Sequence, residues 1–300
     1  MTLTLEEAIA KVPFLSQAKE IKATPLGGGI TNRNFRIDYD GQSCVLRITG
    51  ENTDLLGIRR DVEYIASLAA GELGIAPPVL YLIEPEGYLI TRFIRGQNIP
   101  PEEIVKPMNL KRFAEKIRRF HREGPHLPVT FDVFDRIRLF IRIAQEHNCA
   151  FPEDFSWFME RFTRTESALK ASPAQPSPCH NDLLNLNFMR ENGDLYILDW
   201  EYAGMGDPLY DLANFSHHHL LTDDQIAQLL GVYFGEVSPT TFARIKLYYP
   251  ISQMYEALWG VAQTGISTLD EDFQGYADMF FARAEEHFKD ARFEQWVHAI

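Results

Sequence analysis

The sequence predicts an α+β protein of two lobes, with a small antiparallel β lobe first and a larger, mostly helical lobe after it. Three observations support this fold class. Alternating apolar residues and turn signals dominate up to residue 95, apolar residues at three- and four-residue spacing dominate after residue 100, and a short polar segment, RGQN at 95–98, joins the two parts. We therefore expect an N-terminal lobe at 1–95 and a helical C-terminal lobe at 96–300.

Two β-hairpins and a helix make up most of the predicted N-terminal lobe. After a short amphipathic helix, the segment 23–49 contains two strands joined by an Asp40–Gly41 turn. Residues 57–75 show apolar residues at helical spacing. A second hairpin then follows, with VLYLI and YLITRFI on either side of the turn EPEG.

Helices dominate the predicted C-terminal lobe. The three-residue and four-residue spacing of apolar side chains predicts one group of helices before the motif PCHNDLLNLNF and another after it. The predicted segments are 110–121, 133–147, 154–171, a helix beginning near Pro208, 222–234, 240–264 and 271–291.

Composition excludes several classes of protein. A net charge of −13 argues against a nucleic-acid partner, because binding phosphates needs a basic face. No apolar run approaches the roughly 20 residues that cross a membrane, and the N-terminus lacks the basic region of a signal peptide. The three cysteines form no metal-binding pattern, which favours a reducing, cytoplasmic environment. Residues 201–300 contain 15 Asp and Glu but 5 Lys and Arg, so this part of the chain would attract a cationic substrate.

The stretch 178–199 carries the chemistry. Asp182 and Asn187 are separated by four residues, and Asp199 ends the apolar run LYILD that follows a polar turn. This is the spacing of a kinase catalytic loop and its metal-binding aspartate. One carboxylate can orient an attacking hydroxyl while the other oxygens hold a hard cation. Taken singly, each residue is more often a helix cap or a turn residue, but the order of all three predicts phosphoryl transfer from a nucleotide–magnesium complex.

A glycine-rich segment near the N-terminus is a candidate phosphate-binding loop. Gly27, Gly28 and Gly29 permit a bend with exposed N–H groups, and Thr31 and Asn32 add side-chain donors. A run of three glycines is by itself more often a flexible turn. Its position directly before a hairpin that carries a basic residue favours the functional interpretation.

Two charged residues complete the predicted nucleotide site. Arg47 lies in the apolar strand VLRI, where its cation can reach the phosphates. Glu63 lies in the helix that follows and is the expected ion-pair partner of Arg47. Exposed pairs of this kind are common on helices and contribute little.

The quoted motifs resemble those of the choline/ethanolamine kinase family, within the wider group of aminoglycoside-phosphotransferase-like kinases. LGGGITNRNF, VLRI, Glu63, GIAPPV, FIRG, PCHNDLLNLNF and LDWEYAGMGDPLYDLANF occur in the order of that family and cover nearly the whole chain. The resemblance implies a bilobal, protein-kinase-like fold. It also implies transfer of the ATP γ-phosphate to the hydroxyl of a small amino alcohol, with choline or ethanolamine favoured.

The resemblance also implies residue roles. Asp182 corresponds to the catalytic carboxylate, and Asn187 and Asp199 correspond to the Mg²⁺ ligands. Arg47, held by Glu63, corresponds to the residue that contacts the phosphates, and residues 27–32 would cover them. His180 would support the loop by hydrogen bonds, and Asp207 and Asp211 would serve the scaffold.

The acceptor pocket departs from the family pattern. The family encloses a quaternary ammonium with aromatic rings. Here MYEALWGVAQ retains Tyr255 and Trp259, but Glu256 stands where the family often has a second tryptophan. More carboxylate and fewer rings suit a protonated amine, which donates hydrogen bonds. The alternative is a solvated Glu256 and a Trp259 that only packs in the core, and the sequence does not decide whether His217–His219 line the pocket. Consecutive helical residues point in different directions, so these histidines are not expected to share one metal ion.

Two alternatives remain open at this stage. The motif GDPLYDLA also occurs in related small-molecule kinases, so an aminoglycoside or thiamine kinase fits the same residues. A nucleotide-binding pseudokinase is disfavoured because Asp182, Asn187, Asp199 and Arg47 are all present. A protein kinase is disfavoured because the chain has no H-R-D, D-F-G or A-P-E motif. Whether the chain acts alone or as a homodimer stays open.

Overall fold

The computed structural model describes residues 3–27, 32–50 and 53–300 and confirms the predicted α+β class with its two lobes. In this part of the chain, the N-terminal lobe is a five-stranded antiparallel sheet in the order β1-β2-β3-β5-β4. Two short helices precede the sheet, and α3 connects its two hairpins. The bounds are α1 Leu5–Ala10, α2 Pro13–Ser16, β1 Ile21–Leu26, β2 Arg33–Tyr39, β3 Gln42–Ile48, α3 Arg60–Glu72, β4 Val79–Ile83 and β5 Tyr88–Arg92.

Both predicted hairpins form. Tyr39 pairs with Gln42 across the Asp40–Gly41 turn, where both turn residues have positive φ, 44° and 80°. Positive φ at both positions is the geometry that matches the twist of paired strands, and it favours a turn with glycine second. The inner face of the sheet packs against α1 and α2 in a core that includes Ala8, Ile37 and Leu46, each fully buried.

Short strands hold the catalytic stretch in the C-terminal lobe. The strands β6 Gln97–Asn98, β8 Phe188–Glu191 and β9 Asp194–Ile197 form one small sheet, and β7 Ser177–Cys179 pairs with β10 Gly204–Gly206. A 3₁₀ turn covers Asn185–Asn187. Strands of two to four residues are too short to show alternation, so the sequence revealed only the β8–β9 turn and the run before Asp199.

The remaining helices agree with the sequence patterns except at two places. Their bounds are α4 Pro101–Ile104, α5 Pro107–Glu123, α6 Val133–Glu146, α7 Phe155–Ala171, α8 Pro208–His218, α9 Asp223–Phe234, α10 Pro239–Ile266, α11 Phe273–Phe288 and α12 Phe293–His298. The expected helix over 271–291 ends at Phe288, because the Asp290 carboxylate accepts the Arg292 N–H at 2.8 Å and turns the chain into α12. Neither the single turn α4 nor the short helix α12 was expected.

Helix α10 is the centre of the C-terminal lobe. The helix has 28 residues, and every residue from Ala243 to Gln263 is buried. Because this part is buried on all sides, its apolar residues do not lie on one face. It packs against α6, α8 and α11. Within the described ranges, no helix combines the length and the apolar character needed to cross a membrane.

Candidate active site

A buried carboxylate on α8 holds the loop that carries Asp182. Asp211 is fully buried, and its two oxygens accept the backbone N–H groups of His180 at 2.8 Å and Asn181 at 2.6 Å. His121 from α5 contacts the same carboxylate at 2.9 Å. Asn181 adopts a positive φ of 69°, which turns the chain directly before Asp182. Asp211 therefore holds the loop by two hydrogen bonds to its backbone and joins it to α5 through His121.

His180 joins this loop to the strand that leads to Asp199. Its Nδ1 accepts the Asp182 N–H at 3.1 Å, so Nε2 carries the proton and donates to the Leu198 carbonyl at 2.8 Å. Burial lowers the pKa of His180, which keeps the ring neutral in this role. The ring therefore sets the spacing between Asp182 and Asp199.

Asn187 closes the same loop. Its amide nitrogen donates to the Asp182 carbonyl at 2.9 Å, and its own carbonyl accepts the Leu198 N–H at 2.8 Å. This use of the amide nitrogen leaves the side-chain oxygen as the atom available for a cation. Both bonds bring Asn187 next to the strand end that carries Asp199.

Ion pairs connect this loop to the N-terminal lobe. Arg47 from β3 contacts Glu63 at 3.0 Å, Asp199 at 2.7 Å and Glu201 at 2.8 Å. Arg60 on α3 adds contacts to Glu63 at 2.6 Å and to Glu201 at 3.1 Å. Glu63 is only 1% exposed, so the Arg47–Glu63 pair lies in the interior and differs from an ordinary surface pair.

The surroundings of Asp182 and Asp199 disfavour the ionised form of both carboxyl groups. Burial raises the pKa of Asp182 well above its ordinary value of 3.8, and the neighbouring carboxylates of Glu256, Asp199 and Glu201 raise it further. Burial also raises the pKa of Asp199, although Arg47 opposes the shift. Like charges in a desolvated space destabilise one another, and a bound cation relieves that repulsion.

The donor set fits a hard divalent cation. Asp182, Asn187 and Asp199 offer carboxylate and amide oxygens, the ligand type that Mg²⁺ prefers. Around them, the carboxylates outnumber the guanidinium groups of Arg47 and Arg60 in the described part of the site. The residues at this site therefore have both the ligand chemistry and the excess negative charge that a magnesium ion would require.

The predicted glycine loop is only partly described. Gly28, Gly29 and Thr31 lie outside the described residues. Gly27 is exposed, and an added Cβ would meet no atom within 4 Å. Asn32 is 8% exposed; its side chain donates to Glu201 at 3.0 Å and accepts the Gly50 N–H at 3.3 Å. The end of the loop is thus tied to the same ion-pair network as Arg47.

The three predicted acceptor residues have different surroundings on α10. Glu256 is 5% exposed and accepts a hydrogen bond from Tyr276 on α11 at 2.8 Å. The ring of Trp259, one turn later, lies edge-on to Tyr276 with centroids 5.6 Å apart. Tyr255 packs in the core against Phe140, with centroids 5.2 Å apart. Glu256 and Trp259 therefore both contact Tyr276 of α11, whereas Tyr255 packs against Phe140 of α6.

Comparison with known proteins identifies the family to which this arrangement belongs. The sequence model described as choline/ethanolamine kinase matches residues 23–220, which include Arg47, Glu63, Asp182, Asn187 and Asp199. The chain belongs to the choline/ethanolamine kinase family. As a kinase of this family, it is a phosphotransferase that acts on an alcohol group.

Relatives of this kinase cover most of its length. Protein LicA of Haemophilus influenzae is 24% identical over 87% of this chain and 78% of its own. Human ethanolamine kinase 2 is 26% identical over 90% of this chain and 76% of its own. The crystal structure of a choline/ethanolamine kinase family protein from Mesorhizobium loti is 30% identical, covers 97% of this chain and 96% of its own, and has a TM-score of 0.84.

Several site residues of this kinase were missed by sequence reasoning. Arg60 and Glu201 belong to the ion-pair network, and their spacing carried a signal: Arg60 lies three residues before Glu63, and Glu201 two residues after Asp199. Tyr276 contacts Glu256 from α11, and no local pattern links the two residues. His218, one of the three histidines that the sequence left undecided, also contacts Glu256. Such contacts emerge only from the packing of α8, α10 and α11.

Proposed function

We propose that this kinase transfers the γ-phosphate of ATP, bound with Mg²⁺, to the hydroxyl of a small cationic alcohol, with choline and ethanolamine as the favoured acceptors. One observation carries the proposal: His180 joins the loop of Asp182 and Asn187 to the end of the strand that leads to Asp199, and Asp199 lies 2.7 Å from Arg47 of the N-terminal lobe. Positioning and charge stabilisation account for nearly all of the catalysis in phosphoryl transfer. A rigid loop opposite a buried cation is suited to both.

We propose that residues 1–95 bind the nucleotide. We assign the phosphates to Gly27, Gly28, Gly29, Thr31 and Asn32, with Arg47 as the phosphate-contacting cation that Glu63 orients. The ion pairs of Arg47 support this assignment, since they keep its guanidinium beside Asp199. A LicA structure that is 21% identical to this chain, with a TM-score of 0.75, was solved in complex with AMP. A nucleotide in a protein of the same fold is consistent with one here.

Residues 96–300 would supply the metal ligands and the proton acceptor. Asn187 and Asp199 would hold the magnesium ion, which when bound neutralises charge on the transferred group. Asp182 accepts a hydrogen bond from the acceptor hydroxyl and orients its oxygen toward the phosphate. Its raised pKa makes it a better proton acceptor than an ordinary aspartate, so it can take the hydroxyl proton as the new bond forms.

The acceptor side is assigned to Glu256, Trp259 and Tyr255 on α10. Glu256 supports this assignment because its charge acts on Asp182 more strongly than that of either Asp199 or Glu201. A buried carboxylate beside the catalytic one attracts a cation to the place where its hydroxyl must react. The acidic balance of the C-terminal third acts in the same direction over a longer range.

An acceptor panel tests this function. Purified protein with ATP and Mg²⁺ is given choline, ethanolamine, an aminoglycoside or thiamine, and ADP release is measured. We expect release with choline or ethanolamine and none when Mg²⁺ is chelated. Release only with the aminoglycoside or with thiamine would overturn the acceptor class. Thermal stabilisation by ATP and Mg²⁺ with no transfer to any alcohol would instead favour a nucleotide-binding protein without kinase activity.

A further inference from the structure

Glu256 is a buried carboxylate that two other helices hold in place. Its Oε2 accepts the Tyr276 hydroxyl of α11 at 2.8 Å, and its Oε1 lies 3.2 Å from Nε2 of His218 at the end of α8. The side chain of Glu256 is 6% exposed and that of His218 is 8% exposed. The sequence predicts a solvated glutamate or an acceptor-binding one, and this degree of burial excludes the solvated alternative.

The carboxylate is held in one orientation but is not saturated. Each carboxylate oxygen has two acceptor positions, and among the described residues each oxygen of Glu256 has one hydrogen-bond partner, Tyr276 for Oε2 and His218 for Oε1. Both oxygens can therefore accept a further hydrogen bond without losing the contacts that orient them. A fixed carboxylate loses little conformational freedom when a ligand binds.

The surroundings of Glu256 place it with the catalytic group. Leu183, directly after Asp182, donates its N–H to Asn214 of α8 at 2.5 Å, and the Asn214 amide donates to Ser252 of α10 at 3.0 Å. His218 and Glu256 lie one helical turn beyond Asn214 and Ser252, on the same faces of α8 and α10. These contacts bring Glu256 to the side of the loop that carries Asp182, where it can hold the charged end of an alcohol whose hydroxyl meets Asp182.

The aromatic side chains nearby are engaged with one another. Trp259 is 8% exposed, and its ring packs edge-on against Phe273 at 5.8 Å and Tyr276 at 5.6 Å between centroids. A quaternary ammonium has no N–H donor and is bound best by open ring faces. A primary ammonium has three donors, and each needs an acceptor when it leaves water. The chemistry around Glu256 matches the second kind of cation.

We propose that Glu256, oriented by Tyr276 and His218, accepts N–H hydrogen bonds from the ammonium group of the acceptor and so selects amino alcohols that carry at least one N–H over quaternary ones. This inference rests on the proposed function, since it concerns the acceptor of the same reaction. The preferred substrate class is then primary to tertiary ammonium alcohols, and each added methyl removes a donor that Glu256 can use.

The methylation series of one acceptor tests the inference. Ethanolamine, its N-methyl and N,N-dimethyl derivatives and choline differ only in their number of N–H donors. We expect kcat/KM to fall along the series, with ethanolamine at least about tenfold above choline, the effect of losing a charge-assisted hydrogen bond. Equal values, or a higher value for choline, would overturn the inference while leaving the proposed kinase activity intact.

Variants locate the effect at Glu256. Glu256→Gln keeps the shape of the side chain and removes its charge, and we expect it to lower kcat/KM for ethanolamine about tenfold and for choline by less. Glu236→Gln, an exposed acid in the same lobe, is the matched control and should change neither value. An equal loss for both alcohols would show that Glu256 attracts cations without selecting among them, which contradicts the proposal.

Binding separates this inference from the proposed function. Calorimetric titration of the protein with ethanolamine and with choline needs no turnover. Tighter binding of ethanolamine that Glu256→Gln abolishes would support the inference, and if no alcohol were phosphorylated the proposed function alone would fail. Tighter binding of choline would overturn the inference whether or not transfer occurs.

Discussion

Asp182 holds its negative charge in an unfavourable place. It is partly buried, and Glu256, Asp199 and Glu201 all oppose its ionisation. The carboxylate to which we assign proton transfer is therefore one that the unliganded fold would be more stable without. Catalytic carboxylates with raised pKa values show this conflict between stability and activity.

Replacing this carboxylate by an amide should separate the two effects. We expect Asp182→Asn to lower kcat at least about 100-fold, because the amide cannot accept the hydroxyl proton. The same change should raise the free energy of unfolding by about 0.5–2 kcal/mol, the range of a typical stabilising substitution. ADP release and urea denaturation measure the two quantities. Asp270→Asn, at an exposed acid, is the control and should alter neither; a loss of stability in Asp182→Asn would contradict the argument.

The stability gain of Asp182→Asn should depend on pH. A carboxyl group whose pKa is raised by folding stabilises the fold while it is protonated, below its unfolded value of 3.8, and loses that contribution as pH rises through its folded value. The asparagine variant has no such titration. The variant should therefore match the parent protein most closely in acid and exceed it increasingly as pH rises, which denaturation at a series of pH values measures without ligand. A difference that shrinks with rising pH would be evidence against a raised pKa.

At the scale of elements, helix α8 supports the catalytic loop from below. Its first turn is capped by Asp207, which accepts the Leu209 N–H at 2.9 Å, and Asp211 one turn later accepts two N–H groups of the loop. The helix thus transmits its position to the loop through two side chains, because Asn214 of α8 also accepts the Leu183 N–H at 2.5 Å. Small displacements of a catalytic group have large effects on rate.

Asp211 is therefore a positioning residue, and its replacement should displace the loop that carries Asp182. In Asp211→Asn one oxygen becomes an NH₂ group that faces a backbone N–H, so at least one buried donor loses its partner. We expect kcat to fall about 100-fold with little change in KM for ATP, and the free energy of unfolding to fall by about 1–3 kcal/mol. Asp207→Asn, which keeps an oxygen for the cap and does not contact the loop, should retain most of the activity. Equal kinetic losses in both variants would show that the helix, and not the Asp211 contacts, sets the loop.

The elements differ in how far the sequence predicts them. Long amphipathic helices and the hairpin at Asp40–Gly41 can be predicted from a short stretch of sequence, because the spacing of apolar residues and the turn residues are enough to define them. The strands around Asp182 have two to four residues and depend on partners elsewhere, such as β6 on β8. Glu256 illustrates the same limit, because its burial comes from His218 and Tyr276 on other helices. The division of the chain at residues 95 and 96 stays a prediction.

At the scale of the whole molecule, the side chains of the active site also connect the two lobes. Arg47 of the sheet contacts Asp199 and Glu201 of the C-terminal lobe, and Asn32 donates to Glu201 at 3.0 Å. A ligand that binds these groups therefore acts on the junction between the lobes. Its binding energy adds to the stability of the folded protein as a unit.

The stabilisation of the protein by nucleotide should require a divalent cation. A bare triphosphate adds negative charge to a site in which Asp182 and Asp199 already have raised pKa values, whereas Mg²⁺ neutralises both. With a non-hydrolysable ATP analogue and Mg²⁺ at 100 times the dissociation constant, we expect about 2.7 kcal/mol of added stability, seen as a higher Tm in a thermal melt. The analogue with a chelator should give much less. Asp199→Asn should lose most of the magnesium-dependent part while Asp270→Asn keeps it, and equal shifts with and without Mg²⁺ would exclude Asp199 as a metal ligand.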